Sequence, residues 1–305
     1  MQRTLKGPVG FVGTGLHSGR AVRMTVQPAS AGYGIWFRRA DLPGDALIAA
    51  RWDQVVGTTL CTEIANGAGA RVATIEHLMA ALAGCGIQNA LIEIDGPEVP
   101  ILDGSSARFV QGFLKRGLRE QQAEVMAIRV LEPVTVSQDG AKASLHPAEG
   151  LEIDFAIDFV DAAIGRQQKR LRMANGAFVR ELADSRTFCR QADVERMQAN
   201  GLARGGTMAN AVVFDGDRVL SPGGLRHRDE PVRHKMLDAL GDLALAGAPL
   251  LARYRGERAG HAMTNRLLRA LFARPGAWEL VTCGAGVAAR LPGAGVGRAD
   301  LAAVA

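Results

Sequence analysis

Cysteine is scarce and scattered in this chain of 305 residues. Cys61, Cys85, Cys189 and Cys283 lie far apart, with no CxxC pair among them. That spacing excludes a disulfide framework and a cysteine-built structural zinc site, and it suits a reducing compartment. Aromatic residues make up only 5% of the chain, and there is no lysine/arginine run, zinc finger or base-stacking motif. Nucleic acid is therefore not an expected partner. No apolar run reaches membrane-spanning length, and the first 19 residues lack the apolar core of a secretion signal. The expectation is a cytoplasmic monomer without an integral membrane segment.

Hydrophobic residues are plentiful at 48%, enough over this length to bury a large core and to build two domains. The net charge of +5 is dispersed, and it fits an anionic or phosphate-bearing small molecule. The chain also repeats itself. Residues 22–39 and 141–158 each read as a strand, a proline turn and a second strand, with period-2 alternation around Pro147. Each is followed by a helix (76–84, 234–247), a β-like run (89–94, 249–254) and a second amphipathic helix (105–117, 261–272). The pattern of β-hairpin, helix, strand and helix, met twice, predicts an α+β fold of two duplicated domains, 1–121 and 122–285. The polar stretch 117–125 marks the boundary. The second half is the longer one, and residues 186–214 read as an insertion over its core. Residues 286–305 form a Gly/Ala-rich tail, expected to be poorly anchored.

The helix at 232–247 lines up three polar residues at a spacing of four, His234, Asp238 and Asp242. They fall on one stripe at roughly 0°, 40° and 80° around the axis. As a surface pair, His and Asp at this spacing contribute a few tenths of a kcal/mol. Alternatively, His234 and Asp238 chelate a metal, with further ligands from elsewhere. If the halves pack as equivalents, the first helix of the first half brings His77 to face them. Two imidazoles, one carboxylate and an open position suit a catalytic zinc ion, and ferrous iron accepts the same donors. Glu76 adjoins His77 and could serve as a general base, or it could simply begin a helix where an acidic residue suits the dipole. His261 opens the second helix of the second half, and Asp242 could fix its tautomer or its charge. His17 lies in a Gly-rich turn, GTGLHSG, suited to close substrate approach; its third glycine is out of step with the dinucleotide fingerprint. His146 and His227 read as turn or surface residues.

Six segments then carry a family resemblance in order: GLHSG, TIEHLMAALAG, VPILDGSS, SRTF, VRHKMLDALGD and GHAMTNRLL. Together they resemble the UDP-3-O-acyl-N-acetylglucosamine deacetylases, zinc amidases that perform the committed step of lipid A biosynthesis in Gram-negative bacteria. The resemblance runs from about Arg3 to about Thr282. It implies two similar α+β domains with the active site between them, and zinc on His77, His234 and Asp238. It implies Glu76 as catalytic base and His261 as catalytic histidine, with Asp242 beside it. Either His261 or Glu76 would protonate the leaving amine. Thr187 matches a hydroxyl that contacts the oxyanion or acetate. Lys235 matches a lysine near the substrate's phosphate or sugar, Phe188 a residue near the sugar and acyl arm, and Phe159 and Lys142 positions at the nucleotide end.

The sequence departs from the family pattern at Met79, which replaces an asparagine off the catalytic face, and at Cys189, which stands where glycine is usual. Arg190, Gln191 and Arg204 occupy a region where apolar residues are common. Cys61 matches a cysteine near the metal in relatives, though a buried inert thiol reads equally well. Two other readings stay open on the sequence. One is a metal amidohydrolase for a different N-acyl substrate, supported by the arginines at 190 and 204. The other is a non-catalytic binding module whose polar stripes are surface pairs.

Overall fold

Two helices form the centre of the computed structural model, which describes residues 1–304. The helices are α1 (Glu76–Gly84), α2 (Ala107–Arg116), α3 (Ala177–Glu181), α4 (Gln191–Ala199), α5 (Glu230–Ala244), α6 (His261–Phe272) and α7 (Ala285–Ala288). α1 and α5 run against each other, and both are buried on nearly every side. α5 starts with Pro231 in its first turn, where the missing N–H costs nothing, and with Glu230 at the positive end of the helix dipole. The approach of the two helices depends on Gly241. A methyl group there would lie 2.0 Å from the Glu76 carbonyl oxygen.

A mixed sheet flanks each helix. The first has the order Val9–Thr14, Ala21–Pro28, Ala90–Ile94, Ile35–Arg39, Leu47–Ala49. In the second, Leu250–Glu257 lies between Ala141–Pro147 and Glu152–Asp158, and the sheet extends outward to Val134–Gln138, Arg166–Arg172, Met126–Val130 and Trp278–Thr282. The hairpins expected at residues 22–39 and 141–158 are therefore not hairpins. In both halves the strand that follows the helix inserts between the two, antiparallel to the first and parallel to the second. Alternation of apolar residues identified each strand, but pairing is non-local and a proline turn cannot reveal what comes between. The same insertion in both halves gives them one topology, and the α+β class holds.

One core cluster runs through both halves, from Val26, Phe37 and Ile92 to Leu237, Tyr254 and Leu267. Residues 188–219 add a short sheet of Phe188–Arg190, Val212–Asp215 and Arg218–Val219, with α4 beside it. The first half carries its own addition, a three-stranded sheet of Val55–Gly57, Glu63–Ala65 and Arg71–Val72.

The tail is docked rather than loose. Leu291 joins a second small cluster with Val125, Ala127, Leu251 and Cys283. The Arg3 guanidinium donates to the carbonyls of Gly293 and Val296 at 3.2 and 3.3 Å. Gly293 lies so near Gly86 that a methyl group on it would come within 2.1 Å of the Gly86 nitrogen. Arg298–Val304 then packs on α2 and α3. Its small residues hide any periodicity, yet they allow the backbone-to-backbone approach that anchors it. No helix is long and apolar enough to cross a membrane among the described residues.

Candidate metal centre and active site

α1 supplies Glu76 and His77, and α5 supplies His234, Lys235, Asp238 and Asp242. His234, Asp238 and Asp242 are 2%, 5% and 3% exposed, which rules out a solvated surface stripe. Buried carboxylates need partners, and these find them across the helix junction. His77 Nε2 lies 3.6 Å and His234 Nε2 3.2 Å from Asp238 Oδ1. The two imidazole rings meet edge to face, with centroids 4.9 Å apart. One ligand atom from each residue falls within 4.8 Å of the others. Asp238 Oδ1 is buried and accepts no hydrogen bond from the described residues. An orphaned carboxylate oxygen facing two imidazole nitrogens is the arrangement a divalent cation would complete, so these three residues fit a metal.

Neighbouring groups prepare the ligands. His234 Nδ1 pairs with the Ser185 carbonyl at 3.0 Å, which fixes the tautomer and turns Nε2 toward His77 and Asp238. Burial pushes the His234 imidazole down to about 4, against the pull of Asp238, so it is neutral near pH 7. Burial alone would raise Asp238, but His234 and Lys235 hold it well below the carboxylate range. Lys235 Nζ donates to Asp238 Oδ2 at 2.6 Å, and burial's downward pull on that ammonium is outweighed by the same carboxylate. Backbone support comes from Ser106, whose hydroxyl donates to the His77 carbonyl at 2.7 Å.

The acid–base groups lie one turn away. His261 Nδ1 pairs with Asp242 Oδ2 at 2.8 Å, and His261 Nε2 is 3.9 Å from Glu76 Oε1. Burial acts to lower the His261 pKa, but Asp242 and Glu76 hold it up at about 9, an imidazolium. Burial pushes Glu76 upward. The Thr62 amide donates to Glu76 Oε2 at 3.0 Å, and the Thr62 hydroxyl donates to Asp242 Oδ1 at 2.6 Å.

Glu76, His77, His234, Lys235, Asp238 and His261 line a cavity of about 890 Å³ together with His17, Phe159, Thr187 and Phe188, and Asp242 and Thr62 lie behind its wall. Phe188 stacks edge-on to Phe159 at 5.5 Å and to His234 at 6.3 Å. Both ring nitrogens of His17 are buried without a partner among the described residues, and burial pushes its imidazole down. The turn that carries His17 is held by Glu98, which accepts the amides of His17 and Ser18 at 2.8 Å. Thr187 is fixed from both sides. Its amide donates to the Gly104 carbonyl at 2.8 Å, and the preceding Arg186 forms a buried pair with Glu230. Val194, Met197, Leu202 and Val213 give one part of the cavity an apolar wall.

Of the twelve residues singled out in the sequence, eleven meet at this site and Lys142 does not line the cavity. Lys142 sits exposed on the strand Ala141–Pro147, opposite Glu257. Lys235, expected to face phosphate or sugar, also has its ammonium on a ligand carboxylate. Cys61 is buried, with its thiol pushed up to about 12 by burial, and is not a thiolate at neutral pH. Met79 lies away from the catalytic face, at the far end of the α1/α5 pair. The sequence reading assigned no role to Thr62, Ser185, Glu230 or Gly241, because each acts through a partner distant in the chain, even where, as for Ser185 and Gly241, it lies inside a quoted motif.

A cation cage, an adjoining carboxylate and an imidazole–carboxylate pair at one deep cavity define a site of the metal-dependent hydrolase type. The chain matches the family LpxC, UDP-3-O-acyl N-acetylglycosamine deacetylase, over residues 2–273, and it belongs to that family. The UDP-3-O-acyl-N-acetylglucosamine deacetylase of Phenylobacterium zucineum (strain HLK1) is 51% identical over 282 residues, 92% of this chain and 96% of that protein. The enzyme of the same description from Shewanella loihica (strain ATCC BAA-1088 / PV-4) is 48% identical over 283 residues, covering 92% of each chain. That of Shewanella frigidimarina (strain NCIMB 400) is 46% identical over 283 residues, again 92% of each.

Proposed function

We propose that this chain hydrolyses the N-acetyl group of UDP-3-O-acyl-N-acetylglucosamine, giving the free amine and acetate, the committed step of lipid A biosynthesis. The observation that carries this reading is the unpartnered Asp238 oxygen between His77 and His234, buried in the wall of a large cavity beside Glu76 and His261. Zinc is the ion of choice for two imidazoles, one carboxylate and an open position, and ferrous iron takes the same donors. Such a cation supplies water acidified toward a pKa of about 7 and polarisation of the acetamide carbonyl.

The remaining work falls to the chain. Glu76, its carboxylate form favoured by a nearby cation, takes a proton from the attacking water. Thr187 donates its hydroxyl to the oxygen that gains negative charge. His261, kept charged by Asp242, gives its proton to the departing amine as the C–N bond breaks. Phe188 and Phe159 wall the sugar and nucleotide side, and His17 closes the substrate side of the turn. Lys235 balances Asp238 and leaves its stem against the sugar.

The apolar wall supports a substrate with an acyl arm. Arg190 lines the cavity with its charge paired to Asp161, and Arg204 is exposed and outside the lining. Of the two departures that suggested another N-acyl substrate, Arg204 stays out of the lining and Arg190 enters it as half of an ion pair, beside the apolar wall of Val194, Met197, Leu202 and Val213. The repeated strand insertion supports the division into halves 1–121 and 122–285, with the site at their junction. We place the protein in the cytoplasm as a monomer.

Metal analysis and acetate release from the UDP-sugar test the reading together. The parent chain is expected to carry one cation and to release acetate. Glu76→Gln keeps the cation and loses about 10²–10⁴ in kcat. Undiminished turnover in that variant removes Glu76 as the base, and a parent chain inert toward the sugar removes the substrate.

A further inference from the structure

Thr62 belongs to none of the motifs that carry the resemblance, yet it alone holds both halves of the acid–base machinery. It lies between Val55–Gly57 and Glu63–Ala65, on the small sheet added to the first half. Its amide takes one oxygen of Glu76 and its hydroxyl one oxygen of Asp242. Each carboxylate is left with one working oxygen. Glu76 Oε1 faces His261 Nε2, and Asp242 Oδ2 pairs with His261 Nδ1.

The backbone around Thr62 is committed to this placement. Leu60, with φ of +65°, sits in the left-handed region that a branched side chain rarely adopts, and Thr74 on the facing segment does the same at +56°. The Ile75 amide donates back to the Thr62 carbonyl at 3.4 Å, tying the turn to the start of α1. Thr62 is 2% exposed, so its hydroxyl bond to Asp242 is shielded from bulk water. A carboxylate torsion is otherwise broad and two-fold. Without that bond, Asp242 is free to rotate and to release His261.

We propose that Thr62 is a positioning residue that locks Glu76 and the Asp242–His261 pair in a single relative geometry, a role that rests on the deacetylase reading above. Every residue but proline offers the amide, so substitution of the side chain isolates the Asp242 arm.

Thr62→Val keeps the shape and removes the hydroxyl, while Thr62→Ser keeps the hydroxyl. In Thr62→Val, kcat for the UDP-sugar is expected to fall about 10–100-fold, the scale of a small misplacement of reacting groups, with KM nearly unchanged and metal content still one per chain. Thr62→Ser recovers most of the rate. The second readout is the His261 Nδ1–H proton resonance of the metal-free protein. It is expected in the parent and in Thr62→Ser, and broadened or lost in Thr62→Val. Thr62→Ala serves in both assays if the valine variant does not fold. Parent-like kcat in Thr62→Val, a serine variant as impaired as the valine one, a loss confined to KM, or an unaltered resonance each overturns the proposal. If the parent does not turn over the sugar, the function fails and the resonance alone decides the positioning role.

Discussion

Gly241→Ala should open the metal site without touching a ligand. The added methyl group would lie 2.0 Å from the Glu76 carbonyl oxygen, 2.8 Å from its carbon and 3.1 Å from its Cα, all backbone atoms that cannot turn aside. Ordinary contact begins near 3.4 Å, so α1 and α5 must part by about 1.4 Å at this crossing. His77 rides on α1, while His234 and Asp238 ride on α5. Metal–ligand distances tolerate only about 0.2 Å. A displacement several times larger should weaken metal binding at least tenfold, or about 1.4 kcal/mol. Overpacking costs about 1–3 kcal/mol in addition, which at this chain length lowers Tm by roughly 2–5 °C. Competition titration with a chelator reads the first effect, and thermal unfolding of the metal-free protein reads the second. Parent-like values in both would refute the idea that this glycine sets the spacing of the two helices.

Two further perturbations follow from the buried charges. Arg186→Ala removes the guanidinium that holds Glu230 at 2.9 Å at the start of α5, leaving the buried carboxylate only the amides of residues 186 and 226, and should destabilise by about 3–5 kcal/mol in urea unfolding. Burial would raise the Glu230 pKa, but Arg186 and the Arg226 amide keep it below the usual range. The stability this carboxylate contributes is thus present above about pH 4.5 and lost as pH falls through its folded value, so Arg186→Ala should flatten that acid limb. His261 has the opposite sign. Despite burial, Asp242 and Glu76 raise its pKa to about 9, so its stabilisation is complete below about pH 6.5 and lost as pH rises through about 9. The urea midpoint of the metal-free parent should therefore drop between pH 7 and 9.5. Asp242→Asn should show a smaller drop, and an identical slope in both would remove Asp242 as the cause.

The pair of His234 and Asp238 in the candidate metal set was legible in the sequence because helical geometry is local. His234 and Asp238 are one turn apart and must share a face wherever the helix lies. His77 was reachable only through the internal repeat, which made the first helices of the two halves counterparts. The hairpins at residues 22–39 and 141–158 were misread because a strand's partner is chosen by burial across the sheet, and the inserted strand lies more than 50 residues downstream in each half. The tail misled for a related reason. Glycine and alanine carry little pattern, yet Gly293 lies so near Gly86 that no side chain fits between them.

The sequence by itself determined the α+β class, the helices that carry the donors and the chemical types at the site. Those properties depend on periodicity and residue identity, which survive in an unfolded chain. Only the tertiary structure decided that the polar stripe of α5 is buried rather than a surface, that Lys235 rests on Asp238, and that Thr62 joins Glu76 to Asp242. These depend on distances between segments as remote as residues 62 and 242, and such distances are set when backbone packing, at Gly241 above all, brings α1 and α5 together.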